Sequence, residues 1–273
     1  MKNKKIKTIT PVQPYLALRT EDYKKLITET LGISHFYEFT VKEGEQVKVQ
    51  AVPDGSVDLL FGIGTKDVHT YISGTVFHVK KWPIEPGRVY FGVRFQPGKC
   101  ILPRDLSIQD IINDDLEIDG NCYGKSLAEE IAEAKNMKER AEIFVRRYVD
   151  GYVVENEQDA AGRLEEYIRN RIYESKGNIS IGALAEETGY SECYIRRIFG
   201  KIHGISPKVF EKFVRFQNTL NLMEKEKIGL EELAAECGYY DQSHMIKDFK
   251  NFSGVTPEAY LNLISEKRKE TDE

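Results

Sequence analysis

Two short runs in the C-terminal third hold side chains suited to gripping and reading another polymer. The first holds Ser191, Cys193, Tyr194, Arg196, Arg197 and Lys201; the second holds Gln242, Ser243, Ile246, Lys247 and Lys250. An arginine guanidinium is a planar fork of donors that matches the two acceptors on a guanine edge, and a glutamine amide matches adenine in the same bidentate way. An isoleucine can touch a thymine methyl, while lysines place compact positive charge against phosphate. The chemistry on offer is recognition of a nucleic-acid duplex.

Such groups must stand on the outward faces of helices, and the sequence builds that arrangement twice. Phe199, Gly204, Ser206, Pro207 and Phe210 recur fifty positions later as Phe249, Gly254, Thr256, Pro257 and Tyr260. Leu184, Ala185, Gly189 and Tyr190 recur forty-nine positions later as Leu233, Ala234, Gly238 and Tyr239, so the second copy has one extra residue just before its second helix. In the first copy Gly189 ends one helix in a left-handed cap, and the Ser191 hydroxyl caps the next. Ile195, Ile198, Phe199 and Ile202 then form one apolar stripe, leaving Cys193, Arg196, Arg197 and Gly200 outside. In the second copy Asp241 is the expected N-cap, Met245, Phe249 and Phe252 point inward, and Gln242, Ser243, Ile246, Lys247 and Lys250 point outward. Ser206-Pro207 is a helix start, and Val209, Phe213, Phe216, Leu220 and Met223 continue it at helical spacing as a long connector. A duplicated helix, turn, helix unit enters a major groove twice.

The residues Leu184-Ala185, Gly189-Tyr190-Ser191, 195–199, 204–207 and Phe210, with their partners Leu233-Ala234, Gly238-Tyr239, Asp241-Gln242-Ser243, Phe249-Lys250, 254–257 and Tyr260, resemble the AraC/XylS family of bacterial transcription regulators. His244 and Met245 stand where that family usually carries an aromatic pair, and Lys247-Asp248-Phe249 replaces its commoner Arg-x-Phe. The resemblance covers about the last hundred residues. It implies two helix-turn-helix units joined by a long helix, reading successive faces of one DNA segment.

Composition at first argues the other way. The 273 residues carry a net charge of −5 and a pI near 5.7. Residues 160–273 hold 17 basic against 19 acidic side chains. Between Cys193 and Arg215, however, Arg196, Arg197, Lys201, Lys208, Lys212 and Arg215 face one acid, Glu211. A local patch is what engages phosphates, and an acidic remainder weakens loose binding to random DNA. The four cysteines, Cys100, Cys122, Cys193 and Cys237, are scattered without a Cys-x-x-Cys pair, which favours free thiols. The basic start, Met1-Lys-Asn-Lys-Lys, is not followed by an apolar signal region, and no run spans a membrane, so a cytoplasmic location with no membrane partner is expected.

The first half reads as strands at 35–41, 46–52, 57–63, 68–72, 75–80 and 88–95, with turn signals at 42–45, 53–55, 62–64, 73–74 and 86–87. Closely spaced antiparallel strands favour a small barrel or sandwich. Pro53-Asp-Gly-Ser-Val-Asp-Leu-Leu-Phe and Gly92-Val-Arg-Phe-Gln-Pro-Gly resemble the sensor half of some AraC-type regulators, which implies a cupin-like barrel. Ser126-Leu-Ala-Glu reads as a capping box opening a helix with Leu127, Ile131 and Ala134 inward; a second helix holds Ala141, Phe144, Val145 and Tyr148. These trailing helices either cover the barrel or form a dimer interface. Residues 151–162 are polar and read as a linker. His69, Tyr71, His78, Trp82, Tyr90 and Arg94 are the candidate effector-binding residues, as polar groups able to converge on an apolar wall. A metal reading of His69, His78 and Cys100 finds no dense ligand spacing.

The expected fold class is α+β: an antiparallel β barrel with trailing helices over 1–155, then an all-α domain of two helix-turn-helix units joined by a long helix over 160–273. The expected function is sequence-specific DNA-binding transcription regulation without enzymatic activity or cofactor, controlled by a small-molecule effector bound in the first domain. Expected partners are operator or promoter double-stranded DNA, the effector, a second copy in a homodimer and, for an activator, RNA polymerase. Two readings compete with it. One is a repair protein whose helical module carries a cysteine alkyl acceptor, which needs an activated, electropositive thiol; Cys100 follows Lys99 but has no adjacent His or Arg. The other is an architectural DNA-binding protein with no sensor.

Overall fold

The computed structural model describes residues 11–28, 30–41, 49–82, 84–152, 159–225 and 228–272. The basic N-terminus, the turn expected at 42–45 and residues 153–158 of the expected linker lie outside the described residues.

The chain opens with a short helix α1 (Pro14–Arg19), then strands β1 (Glu21–Ile27), β2 (Ile33–Thr40), β3 (Gln50–Ala51), β4 (Val57–Ile63), β5 (Val68–Ser73), β6 (Lys80–Lys81) and β7 (Val89–Phe95). A 3₁₀ turn (Ile108–Ile111), β8 (Asp115–Ile118), α2 (Leu127–Glu133) and α3 (Met137–Tyr152) complete the first half. Six strands form one antiparallel sheet in the order β1-β2-β7-β4-β5-β8, and β3 pairs β6 in a two-stranded ribbon.

The central strands are buried on both faces, which explains their dense apolar runs. Alternate residues go to opposite sides: Phe36, Leu59, Phe61, Phe91 and Val93 join the α2–α3 side with Leu127, Ile131, Phe144 and Tyr148. Tyr37, Phe39, Leu60 and Tyr90 face the ribbon side with Val49, Ala51 and Trp82. The trailing helices thus bury their apolar stripes on the sheet.

Two expectations fail here. Ser126 sits in the left-handed region (φ 61°) and makes no side-chain cap, so the capping box is absent there. A reciprocal Ser107–Asp110 box instead starts the 3₁₀ turn. The strand expected at 75–80 shrinks to Lys80–Lys81, because Asn113 occupies its backbone groups: Phe77 N–H donates to Asn113 Oδ1 at 2.7 Å, and Asn113 N–H donates to Thr75 O at 3.0 Å. Strands β1 and β8 form the two edges of the sheet and were not legible. β1 shows the polar, lysine-bearing surface of a protected edge.

The second half is helical: α4 (Ala160–Glu174), α5 (Ile181–Thr188), α6 (Glu192–His203), α7 (Pro207–Lys225), α8 (Leu230–Glu236), α9 (Gln242–Ser253) and α10 (Pro257–Asp272). Helix α4, absent from the sequence reading, packs on α5, α6 and α7. The two halves share one core, in which Tyr15 and Val52 join Phe199, Phe210, Phe213, Phe252 and Tyr260. Polar contacts reinforce the seam. Gln217 accepts from Val12 N–H at 2.7 Å and donates to Val12 O and Pro53 O, while the Tyr15 hydroxyl donates to Ser253 O at 2.5 Å.

Candidate nucleic-acid interface

Each helix-turn-helix unit is shaped by its own caps. In the first, Ser180 caps α5 by accepting from Ala183 N–H, and α5 ends at Gly189 (φ 72°), whose N–H donates to Ala185 O. This left-handed turn favours glycine. Two residues on, Ser191 caps α6 by accepting from Tyr194 N–H at 3.3 Å, as its sequence position predicts. In the second unit Asp241 accepts from His244 N–H at 2.7 Å and starts α9. Ile195, Ile198 and Phe199 are buried beneath α6, and Met245, Phe249 and Phe252 beneath α9.

The opposite faces are open. Ser191, Cys193, Arg196, Arg197 and Lys201 are exposed on the first unit, with Tyr194 half-buried beside them. On the second, Gln242, Ser243, Lys247 and Lys250 are exposed and Ile246 is half-buried. Nine of the eleven side chains are therefore open to solvent, while Tyr194 and Ile246 also pack against the core. Lys201, Lys247 and Lys250 make no ion pair among the described residues. Arg196 donates to Glu192 Oε2 at 2.5 Å, one turn earlier. Arg197 instead lies over the Tyr194 ring, 5.0 Å from its centroid.

The far ends of both outward helices meet the β-rich half. Gln109 donates to Gly200 O, Gly204 sits against Ile108 and Ile112, and Gly254 sits against Val79. The last residue of α6, His203, is buried against Gly98; it bonds Glu165 Oε1 at 2.8 Å and stacks on Phe199 at 4.0 Å. The basic patch is smaller than the sequence suggests. Arg215 is buried, lying over Tyr239 at 5.2 Å, and Lys208 is paired with Glu211.

Two aromatic residues beside the interface escaped the sequence reading. Tyr190, a mark of the repeat in the sequence, is 42% exposed and stacks on Tyr194. Tyr240 is the extra residue of the second copy, 93% exposed in the turn before α9. The one-residue offset between the copies was the signal that pointed to it.

The six effector candidates do not converge. His69 lies on the surface, hydrogen-bonded to Glu117 and Asp67, and those bonds raise its pKa. Tyr71 is half-buried and His78 exposed. Trp82 and Tyr90 are packed in the ribbon-side core, where Trp82 stacks on Tyr37 and Tyr90 on Phe39. Arg94 is buried and ion-paired to Asp54 and Asp58, both at 2.5 Å. A cavity of about 430 Å³ opens elsewhere, at the seam, lined from the first half by Val12, Pro14, Leu18, Tyr23 and Lys25 and from the second by Glu224, Tyr260 and Ile264. Burial pushes the thiol of Cys100 up, and likewise those of Cys122 and Cys237. No helix among the described residues is long and apolar enough to cross a membrane.

Comparison with known proteins agrees with this geometry. Residues 184–262 match a family described as a helix-turn-helix domain, and residues 32–117 match a domain of unknown function, DUF6597. An HTH-type transcriptional regulator of Haemophilus influenzae, itself uncharacterized, is 33% identical over 85 residues, covering 31% of this chain and 28% of the relative. The Msm operon regulatory protein of Streptococcus mutans is 26% identical over 87 residues, covering 32% of this chain and 31% of the relative. The matched stretch thus spans less than a third of the length of these curated relatives. Among solved structures, a probable AraC family transcriptional regulator from Rhodopseudomonas palustris is 29% identical, covering 38% of this chain and 96% of that one at a TM-score of 0.32. An apo form of a ToxT variant from Vibrio cholerae is 10% identical, covering 88% and 99% at a TM-score of 0.45. With its two capped helix pairs, its long connecting helix and this family match, the C-terminal part of the chain is an AraC-type helix-turn-helix domain.

Proposed function

We propose that the chain is a sequence-specific DNA-binding transcription regulator. The observation that carries this is the pair α6 and α9, each capped at its N-terminus, buried on one face and open on the other, where Arg197, Lys201, Lys247 and Lys250 have no carboxylate partner among the described residues. The outward face of α6 offers Arg197 to guanine, and that of α9 offers Gln242 to adenine and Ile246 to a thymine methyl. Lys201, Lys247 and Lys250 serve phosphate. Selection of duplexes from a randomised pool by the full chain tests this. Enrichment of a motif read over two major-groove faces one helical turn apart is expected; recovery of unselected sequence at every salt concentration would overturn it.

Control by a small organic molecule is the second part of the proposal. The cavity at the seam supports it: its volume falls in the range of ligand sites, and its wall combines apolar Val12, Pro14, Leu18 and Ile264 with polar Tyr23, Lys25 and Glu224. A ligand held there touches both halves, so it can bias how they sit on DNA. Thermal shift of the full chain against a panel of metabolites tests it, because a ligand at about a hundred times its Kd stabilises by ~2.7 kcal/mol. Lys25→Ala should abolish any such shift; a hit indifferent to Lys25 would place the ligand elsewhere.

A further inference from the structure

The two adjacent arginines of α6 have opposite surroundings. Arg196 is bound by Glu192, so its charge is partly spent within the helix. Arg197 has no carboxylate partner among the described residues and lies over the Tyr194 ring at 5.0 Å. Tyr194 in turn stacks on Tyr190, with centroids 5.1 Å apart and planes within 15°. The base of this column is fixed by the backbone. Tyr190 follows the left-handed cap at Gly189, and the Tyr194 N–H is held by Ser191. The column therefore runs from the turn, across the first helical turn, to the guanidinium.

The second unit keeps a ring pair but not this parallel stack: Tyr239 and His244 meet edge to face at 5.4 Å. The counterpart of Tyr190 is Tyr239, which is buried and sits under Arg215. The counterpart of Tyr194 is His244, whose Nε2 lies 3.6 Å from Asp248 Oδ2, and that of Arg197 is Lys247. The column is thus a property of the first unit and not of the repeat.

We propose that Tyr190 and Tyr194 are positioning residues that present Arg197 to a single guanine, which makes Arg197 the specificity-determining residue of the first unit and leaves Arg196 a lesser role. An arginine free in solvent must give up side-chain freedom when it forms its two parallel hydrogen bonds. One already laid along an aromatic face gives up less, and a bidentate reader is the contact most sensitive to such alignment. This inference rests on the DNA-reading function proposed above.

The test uses the full chain and a pool of duplexes randomised over two helical turns. Wild type and Arg197→Ala are each selected, and the base position where Arg197→Ala relaxes the motif is identified. Discrimination at that position is then measured for Tyr194→Leu, Tyr190→Leu and Tyr194→Phe, with melting curves and salt dependence recorded for each. The leucine variants should lose about two- to fivefold in discrimination at that position alone, the size of an exposed cation–π contact. Their salt slopes should stay unchanged, Tyr194→Phe should restore discrimination, and Tyr194→Leu should add nothing in an Arg197→Ala background. Wild-type discrimination in both leucine variants would overturn the proposal. So would a loss spread evenly over all positions with a lowered melting temperature, which marks a structural role, or full additivity with Arg197→Ala. If the wild-type chain selects no motif, the DNA-reading function itself fails, a result distinct from these.

Discussion

Arg197 and Lys250 share an exposed setting but differ in chemistry, and the difference is measurable. Arg197→Ala should cost about 1–3 kcal/mol and relax preference at one base position; a uniform loss over all sequences would show that it touches only phosphate. Lys250→Ala should weaken binding evenly and lower the slope of log K against log salt by about one. Anisotropy titrations at several salt concentrations read both. Away from the interface, Gly92 is a position with no room for a Cβ. A methyl there would overlap the Tyr37 ring, in a core where Tyr37 also stacks on Phe39 and Trp82. Gly92→Ala should destabilise by about 1–3 kcal/mol or more, as overpacking does. Denaturant unfolding would show it as a lower midpoint with an unchanged slope.

Helices α5, α6, α7 and α9 were legible because their signals are local: Gly189 for the stop, Ser191, Ser206 and Asp241 for the starts, and an apolar stripe between. What failed depended on distant partners. Residues 75–80 carry strand-like side chains, but Asn113, more than thirty positions away, takes the backbone groups of Thr75 and Phe77. Arg215 belongs to the basic cluster by position, yet Tyr239 covers it. Residue type marks the effector candidates, but type carries no sign that Asp54 and Asp58 bind Arg94 within the core. The junction of α4 and α6 gives a pH prediction of the same nature. Burial lowers the pKa of His203 below its ordinary 6.5, outweighing the pull of Glu165. Glu165 is lowered below 4.5, because hydrogen bonding from His203 and the charge of Arg169 outweigh its own burial. Both groups bind fewer protons folded than unfolded, so stability rises with pH. Acidification should therefore lower the melting temperature below about pH 6.5 through His203, and further below about pH 4.5 through Glu165. His35, lowered to about 2 by burial, acts in the same direction, and surface His69 in the opposite one. His203→Gln should flatten the slope between pH 6.5 and 5 without removing it. An unchanged slope would mean that His203 titrates normally.

The two halves are expected to unfold together. Phe77 of the first half meets Phe213 of α7, and Gln217 holds the chain at Val12 and Pro53. Gln217→Ala leaves those backbone groups without their partner in a buried setting, at a cost of about 1–3 kcal/mol. Calorimetry should show one endotherm for the wild type and a broadened or split one for the variant. A wild-type scan that already splits would show that the seam does not couple them. The same seam leaves the β-rich half touching the last turns of α6 and α9 while their first turns stay open.

Helix α7 is enclosed from Phe213 to Leu220 without a break. One residue added within it would rotate everything downstream by about 100° and advance it ~1.5 Å, carrying α9 out of phase with α6. The turn that holds Tyr240 has already absorbed such an addition. Over evolutionary time the connector should therefore keep its length while the turns drift. A comb of single-residue insertions and deletions should find tolerance around position 240 and none along α7, so that the distance between the two halves of an operator is inherited from the protein's least editable segment.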